Sequence, residues 1–253
     1  MKTVYTWPLL MLLAVALTSG RSAANGLTTF TFQEGLNGYC ETQDTHLWQA
    51  MPDYVAGNDT WVGVDGDGLP GSGCMANHAL LRFDGIFGPG RIPLGAHIVS
   101  ATLTINVAGN DSEAWAKAYR VLPLPDETCS WDETCTWDSC FSGNGVQEGT
   151  ETAVEMEDQI GPPVHSGEHT FCVTTSLEAW SSGTVNCGWA ILLDTDSNDA
   201  FRFESSEVGA EGTPPKLEVT IVSGAPIPEP LTGLGLLLGL GSGMGYIRRR
   251  LQA

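Results

Sequence analysis

Two acidic stretches carry the side chains best suited to hold an ion. Asp65-Gly66-Asp67-Gly68 offers two carboxylates and flexible backbone carbonyls, and Asp194-Thr195-Asp196-Ser197-Asn198-Asp199 has the alternating Asp-x-Asp-x-Asn spacing of a calcium loop. Hard oxygen ligands on a turn suit calcium, which is therefore the cofactor expected, with Asp65, Asp67, Asp194, Asp196 and Asn198 as ligands. In the second stretch Asp199 stands where the turn glycine of an EF-hand belongs, and Ser205 where its bidentate glutamate belongs. A hairpin tip accounts for Asp194 to Asp199 at least as well, because these residues are common in turns. A sugar calls for flat apolar rings instead. Trp48, Tyr54 and Trp61 lie in loop-like stretches and are the candidate stacking platforms for carbohydrate, whereas Trp115, Trp180 and Trp189 read as core. Packing of the interior accounts for most of the eight tryptophans.

No catalytic residue is assigned. The histidines His46, His78, His97, His165 and His169 show no HExxH spacing, and neither a GxSxG elbow nor a phosphate loop occurs. His165 and His169 are four apart, but Gly167 between them indicates a turn, so they read as solvated loop residues. Paired carboxylates for glycoside hydrolysis would arise by chance among 30 acids and carry no information.

The elements that must position these residues read as all-β. No amphipathic helical period appears, while short β-branched and aromatic runs recur between clusters of Gly, Pro, Asn and Asp. Expected strands are 28–32, 79–83, 97–107, 115–121, 169–174, 188–193, 201–204 and 216–222, a number that suits a sandwich or jelly roll. In the longest, Val99, Ala101, Leu103, Ile105 and Val107 alternate with polar residues, so one face is core and the other wet. A short helix is expected over 175–180. The long acidic loop over 126–163 reads as functional or mobile.

The two ends read differently from the middle. Lys2, the apolar run from Trp7 to Leu17 and the small residues Ser22-Ala23-Ala24 form a signal peptide over 1–24, with the mature chain starting at Asn25. At the other end Leu231 to Ile247 is apolar and Gly-rich, about 25 Å long as a helix and so a usable transmembrane span. Arg248, Arg249 and Arg250 after it favour a cytoplasmic C-terminus, which leaves the folded part outside. Pro228-Glu229-Pro230, the apolar span and the arginine cluster, in that order, resemble a PEP-CTERM sorting signal over 226–253. The resemblance implies processing by an exosortase-type membrane protease, export, and delivery from the membrane to the cell surface or extracellular matrix. A simple C-terminal anchor predicts the same topology without cleavage.

Between the ends, 25–225 suits one domain. It holds six Lys and Arg against 29 Asp and Glu, a formal charge of −23. Such a surface repels nucleic acid and anionic lipid, and repels acidic polysaccharide too unless divalent cations bridge the charges. Nucleic acid is excluded as a partner. Seven cysteines in an exported chain point to three disulfides and one leftover thiol rather than to zinc, because no CxxC pair with matching histidines is present. Spacing does not determine connectivity; Cys172 with Cys187, and a local bridge among Cys129, Cys135 and Cys140, are the pairings expected.

Several segments, in order, resemble the DNRLRE-type domain of bacterial surface proteins, a relative of carbohydrate-binding modules. They are Asp44-Thr45-His46-Leu47, Leu80-Leu81-Arg82-Phe83-Asp84, Ile92 to Leu103, Trp131 to Trp137, Leu177 to Trp180, Asn186-Cys187-Gly188-Trp189, Phe201 to Glu207 and Pro215 to Thr220. The cysteines and the inserts around Asp65 and Glu151 depart from the pattern. The resemblance implies a jelly-roll-like β-sandwich, structural roles for Trp131 and Trp137, and polysaccharide binding as in some members; it does not by itself imply catalysis. The expectation is an exported, non-enzymatic protein that binds or organises extracellular polysaccharide. The alternatives are a structural surface subunit without a glycan ligand and a glycan-cleaving enzyme.

Overall fold

The computed structural model describes residues 26–66, 75–109, 112–194, 199–209 and 211–223. The signal peptide, the sorting signal with its membrane span, Cys74, Asp67, Asp196 and Asn198 lie outside them. Among the described residues no helix is long and apolar enough to cross a membrane, and Gly26–Ser223 forms one compact unit.

The described chain is an all-β, antiparallel β-sandwich. Its strands are β1 (Gly26–Gln33), β2 (Thr42–Trp48), β3 (Trp61–Asp65), β4 (Asn77–Phe83), β5 (Ile98–Val107), β6 (Ala116–Arg120), β7 (Asp158–Ile160), β8 (Gly167–Cys172), β9 (Trp189–Leu193), β10 (Ala200–Glu204) and β11 (Lys216–Ser223), with one α-helix, α1 (Thr174–Ser181). Hydrogen-bonded neighbours run β1-β11-β5-β10-β3-β4-β9-β6-β7, with β8 on the other edge of β5 and β2 on β4. The ladder is thin at two places: β10 meets β5 only at Phe203–Val107, and β3 meets β4 only at Asp65–Asn77. There the sheet folds over, so that Leu103 and Ile105 of β5, Leu217 and Val219 of β11 and Phe203 of β10 share one core with Leu81 of β4 and Trp189 and Ile191 of β9. Alternating inward residues from two facing layers are what a sandwich requires.

The eight strands expected from alternation are present, within a few residues at each end, as is the helix. In β5, Ala101, Leu103, Ile105 and Val107 point inward as expected, but Val99 is 43 % exposed and Ile98 is buried in its place. A bulge does this: Thr220 pairs with Ser100 and the next residue, Ile221, pairs with Ile98, so Val99 is skipped and the parity of the strand changes. Trp115 is not core. Ala116 and Ala118 take the inward positions of β6, which leaves Trp115 42 % exposed.

The loop after β6 is neither open nor loosely attached. Trp131, Trp137, Phe141 and Val146 pack onto the outward residues of the second layer, Leu47, Leu80, Ala190 and Leu192, and build a second buried cluster there. Cys129–Cys187 ties this loop to the start of β9, and Cys135–Cys140 closes a turn within it. The expected local bridge is therefore formed, but Cys187 bonds Cys129 and not Cys172: the covering loop brings Cys129 to it, while Cys172 ends β8 exposed as a free thiol, like Cys40. The segments that carry the family resemblance meet one another here. The Arg82 guanidinium lies 4.8 Å from the Trp131 ring centroid and donates to the Trp131 carbonyl, and the Trp131 indole N–H donates to the carbonyl of Cys187 at 2.9 Å.

Candidate functional site

On β2 successive side chains alternate, so Asp44, His46 and Trp48 share one side. His46 is wholly buried. Its ring stacks on Trp61 with centroids 4.8 Å apart and planes 19° from parallel, and Trp48 and Tyr54 lie 6.4 and 6.3 Å away. Trp48 and Tyr54 meet edge to face at 6.2 Å. The turn between them is tight, with the Met51 N–H donating to Trp48 and the Tyr54 N–H donating to Met51. The Tyr54 hydroxyl donates to both carboxylate oxygens of Asp59, at 2.8 and 3.0 Å. That bond pushes the phenol pKa up. Arg202 of β10 places its guanidinium 5.8 Å from the Trp61 ring centroid.

The structure thus gathers all three predicted carbohydrate residues around one histidine. It also changes their setting: Trp48 closes β2 and Trp61 opens β3, and only Tyr54 sits in a loop. The three rings are half-buried, and Met51 and Val55 beside them are 46 % and 45 % exposed, so the cluster presents an apolar surface. His46 was not picked out as a site residue from the sequence. The signal available was the two-residue spacing Asp44, His46, Trp48, which marks one side of a strand.

The His46 imidazole is enclosed. Neither ring nitrogen has a hydrogen-bond partner. Burial lowers its pKa to about 4, against the opposing pull of the Asp59 carboxylate, so it is a neutral spacer between aromatic rings. Asp44, two residues earlier, is 1 % exposed and accepts from the Ser206 N–H at 2.8 Å. Burial raises its pKa to about 7, helped by the charges of Glu207 and Glu133. A carboxyl group so enclosed clamps the 206–208 turn to β2 and is not open to a substrate.

Of the two acidic stretches, Asp65-Gly66 and Asp199 meet at one end of the β3–β10 pair. Asp65 is the register partner of Ala200, and the Gly66 N–H donates to the Asp199 carbonyl at 3.5 Å. Asp194, at the end of β9, forms an ion pair with Lys117 of β6. Among the described residues no group of three or more His, Cys, Asp or Glu is placed to hold a metal. His169 lies on β8 and not in a turn, its Nε2 bonded to the His165 carbonyl at 2.7 Å. No protein-family model matches the chain, and no curated protein matches it.

Proposed function

We propose that this is an exported, non-catalytic protein of the cell surface or extracellular matrix that binds or organises polysaccharide on the aromatic surface formed by Trp48, Tyr54 and Trp61. The observation that carries the reading is the convergence of three half-exposed rings from two strands and a turn onto one buried imidazole. A pyranose ring presents a face of C–H groups, and a rigid apolar platform with polar groups at its rim is what such a face stacks on. Tyr54–Asp59 and Arg202 supply that rim. The sandwich, read as jelly-roll-like, and the PEP-CTERM-like tail support the same setting, with an exosortase-type membrane protease as the processing partner.

Retention of the purified protein on insoluble neutral polysaccharides tests this. Trp61→Ala and Trp48→Ala should each weaken retention about tenfold, the loss of roughly 1.4 kcal/mol per stacked ring, with the circular dichroism spectrum unchanged. Equal retention by both variants would remove the cluster from the function, and release of reducing ends would show an enzyme. Calcium held by Asp65, Asp67, Asp194, Asp196 and Asn198 would make retention sensitive to EDTA; an unchanged isotherm with EDTA removes it.

One observation favours the structural-subunit alternative. The terminal strand β1 has eight residues, none charged, and Leu27 is 65 % exposed. Such an edge lacks the charges that usually block strand addition. Silence on every polysaccharide together with concentration-dependent self-association would select that reading.

The sorting expectation has its own test. Glu229→Ala should leave the protein in the membrane fraction at its unprocessed mass, while the parent chain is shortened and released. Identical processing of both would leave only a simple anchor.

A further inference from the structure

Two adjoining hollows lie where the loop after β6 covers the outer side of β4, β6 and β9. One, about 340 Å³, is walled by His78, Lys117, Gln147, Glu148 and Asp194 over Leu192. The other, about 190 Å³, is walled by Gln49, His78, Trp137, Asn144 and Gln147. His78 and Gln147 belong to both, so together they make one cleft. The larger hollow alone is within the size range of small-ligand sites.

The cleft is held open by its construction. The His78 Nδ1 accepts the Val146 N–H at 3.0 Å, which places the ring hydrogen on Nε2, and the ring lies 5.1 Å from that of Trp137. Gly145 lets the loop pass flush with both rings: its φ is 68°, and a Cβ there would stand 2.7 Å from the imidazole and from the indole. The two disulfides tie down the stretch of this loop that leads to Gly145, at Cys129, Cys135 and Cys140. A wall that does not need ordering on binding favours affinity.

The chemistry of the walls selects the ligand. Three amide side chains line the cleft, each with one function already used: the Gln49 oxygen accepts from the Ala76 N–H, the Gln147 NH2 donates to the Asn144 carbonyl, and the Asn144 NH2 donates to the carbonyls of Phe141 and Ser142, so the Gln49 NH2 and the oxygens of Gln147 and Asn144 are what they present to sugar hydroxyls. Lys117 is ion-paired with Asp194, and Glu148 hydrogen-bonds the Tyr119 hydroxyl, so the cleft offers no uncompensated cation to an acid. Elsewhere Arg82, Arg91 and Lys216 are likewise ion-paired, on a domain of charge −23. Gln49 directly follows Trp48, and the Asp138 N–H donates to the Pro52 carbonyl at 3.1 Å, so a single turn separates the aromatic cluster from the cleft and is bonded to the cleft's covering loop.

The geometry points to a second carbohydrate subsite in this cleft, which binds one uncharged pyranose residue through Gln147, Asn144, Gln49 and His78. This rests on the glycan reading for the class of ligand. It is tested by titrating the isotope-labelled protein with glucose, galactose, mannose, N-acetylglucosamine and glucuronate, and following amide and side-chain resonances. At least one neutral sugar should shift Gln147 and Glu148 saturably. Gln147→Ala should weaken that binding at least fivefold while its spectrum stays that of the folded protein, Trp61→Ala should change it less than twofold, and glucuronate should leave the cleft unshifted. No shift from any sugar, shifts confined to Trp48 and Trp61, or binding of glucuronate as tight as that of the neutral sugars would overturn it. Polysaccharide retention that needs Trp61, with a silent cleft, sinks only this inference. Monosaccharide in the cleft without polysaccharide retention sinks only the aromatic-surface reading.

Discussion

Cys129→Ser combined with Cys187→Ser should lower the unfolding free energy by about 4 kcal/mol. The bridge closes a loop of 58 residues, and restricting an unfolded chain of that length by one cross-link is worth about that much near room temperature. Cys135→Ser with Cys140→Ser removes a bridge of separation five and should cost about 2 kcal/mol by the same relation. Urea denaturation of the two double variants at one pH measures the difference. The long bridge also fastens the covering loop beside the Trp131 indole, whose N–H donates to the Cys187 carbonyl. Its loss should therefore expose Trp131 and shift the fluorescence to the red before global unfolding. Equal losses for the two pairs would show that loop entropy is not what these bridges contribute.

The second large effect is on the pH dependence of stability, and it comes from two neighbours on β2 that titrate in opposite senses. Asp44 has its folded pKa raised from 3.8 to about 7, because burial and the charges of Glu207 and Glu133 disfavour the carboxylate. Its contribution is complete below pH 3.8 and is lost as pH rises through about 7. His46 has its folded pKa lowered from 6.5 to about 4 by burial among Trp48, Tyr54 and Trp61, with Asp59 opposing. Its contribution is complete above pH 6.5 and is lost as pH falls through about 4. At 1.36 kcal/mol per pKa unit these are on the order of 4 and 3 kcal/mol. Between pH 4 and 6.5 the two slopes oppose and the parent domain should show little change from this pair.

Single variants should separate them. Asp44→Asn keeps an acceptor for the Ser206 N–H and removes the buried charge, so it should match the parent near pH 4 and exceed its stability at pH 8. His46→Phe keeps a ring against Trp61 and removes the proton site, leaving stability that falls steadily from pH 4 to 7. Unfolding free energies at pH 4, 5.5, 6.5 and 8 read both. Profiles parallel to the parent for both variants would show that neither group titrates as its burial demands.

Both groups sit on a strand that alternation did not reveal, and the reason is physical. β5 and β11 place apolar residues inward at every second position, so their period is visible in the sequence itself, and β9, buried on both faces, shows as a continuous apolar run. β2 instead turns Asp44, His46 and Trp48 to one side and buries Thr45 and Leu47 on the other, so its polar residues lie in the interior. Only pairing along its whole length with β4, and the cover supplied by Trp61 and the Ser206 turn, make such a strand stable. β3 is five residues long with a glycine at its centre, and it too depends on its partner, β10.

By itself the sequence determined the all-β class, most of the strands, the helix α1 and a local bridge among Cys129, Cys135 and Cys140. These follow from short-range pattern and from residue chemistry, which neighbours in the chain suffice to define. The tertiary structure alone decided that the three rings meet on His46, that the acidic stretches at Asp65 and Asp199 adjoin, that Cys129 and not Cys172 takes Cys187, and that the long loop becomes the wall of a cleft. Each of these depends on strand register and on which layer a loop covers, long-range pairings that no local stretch of sequence encodes.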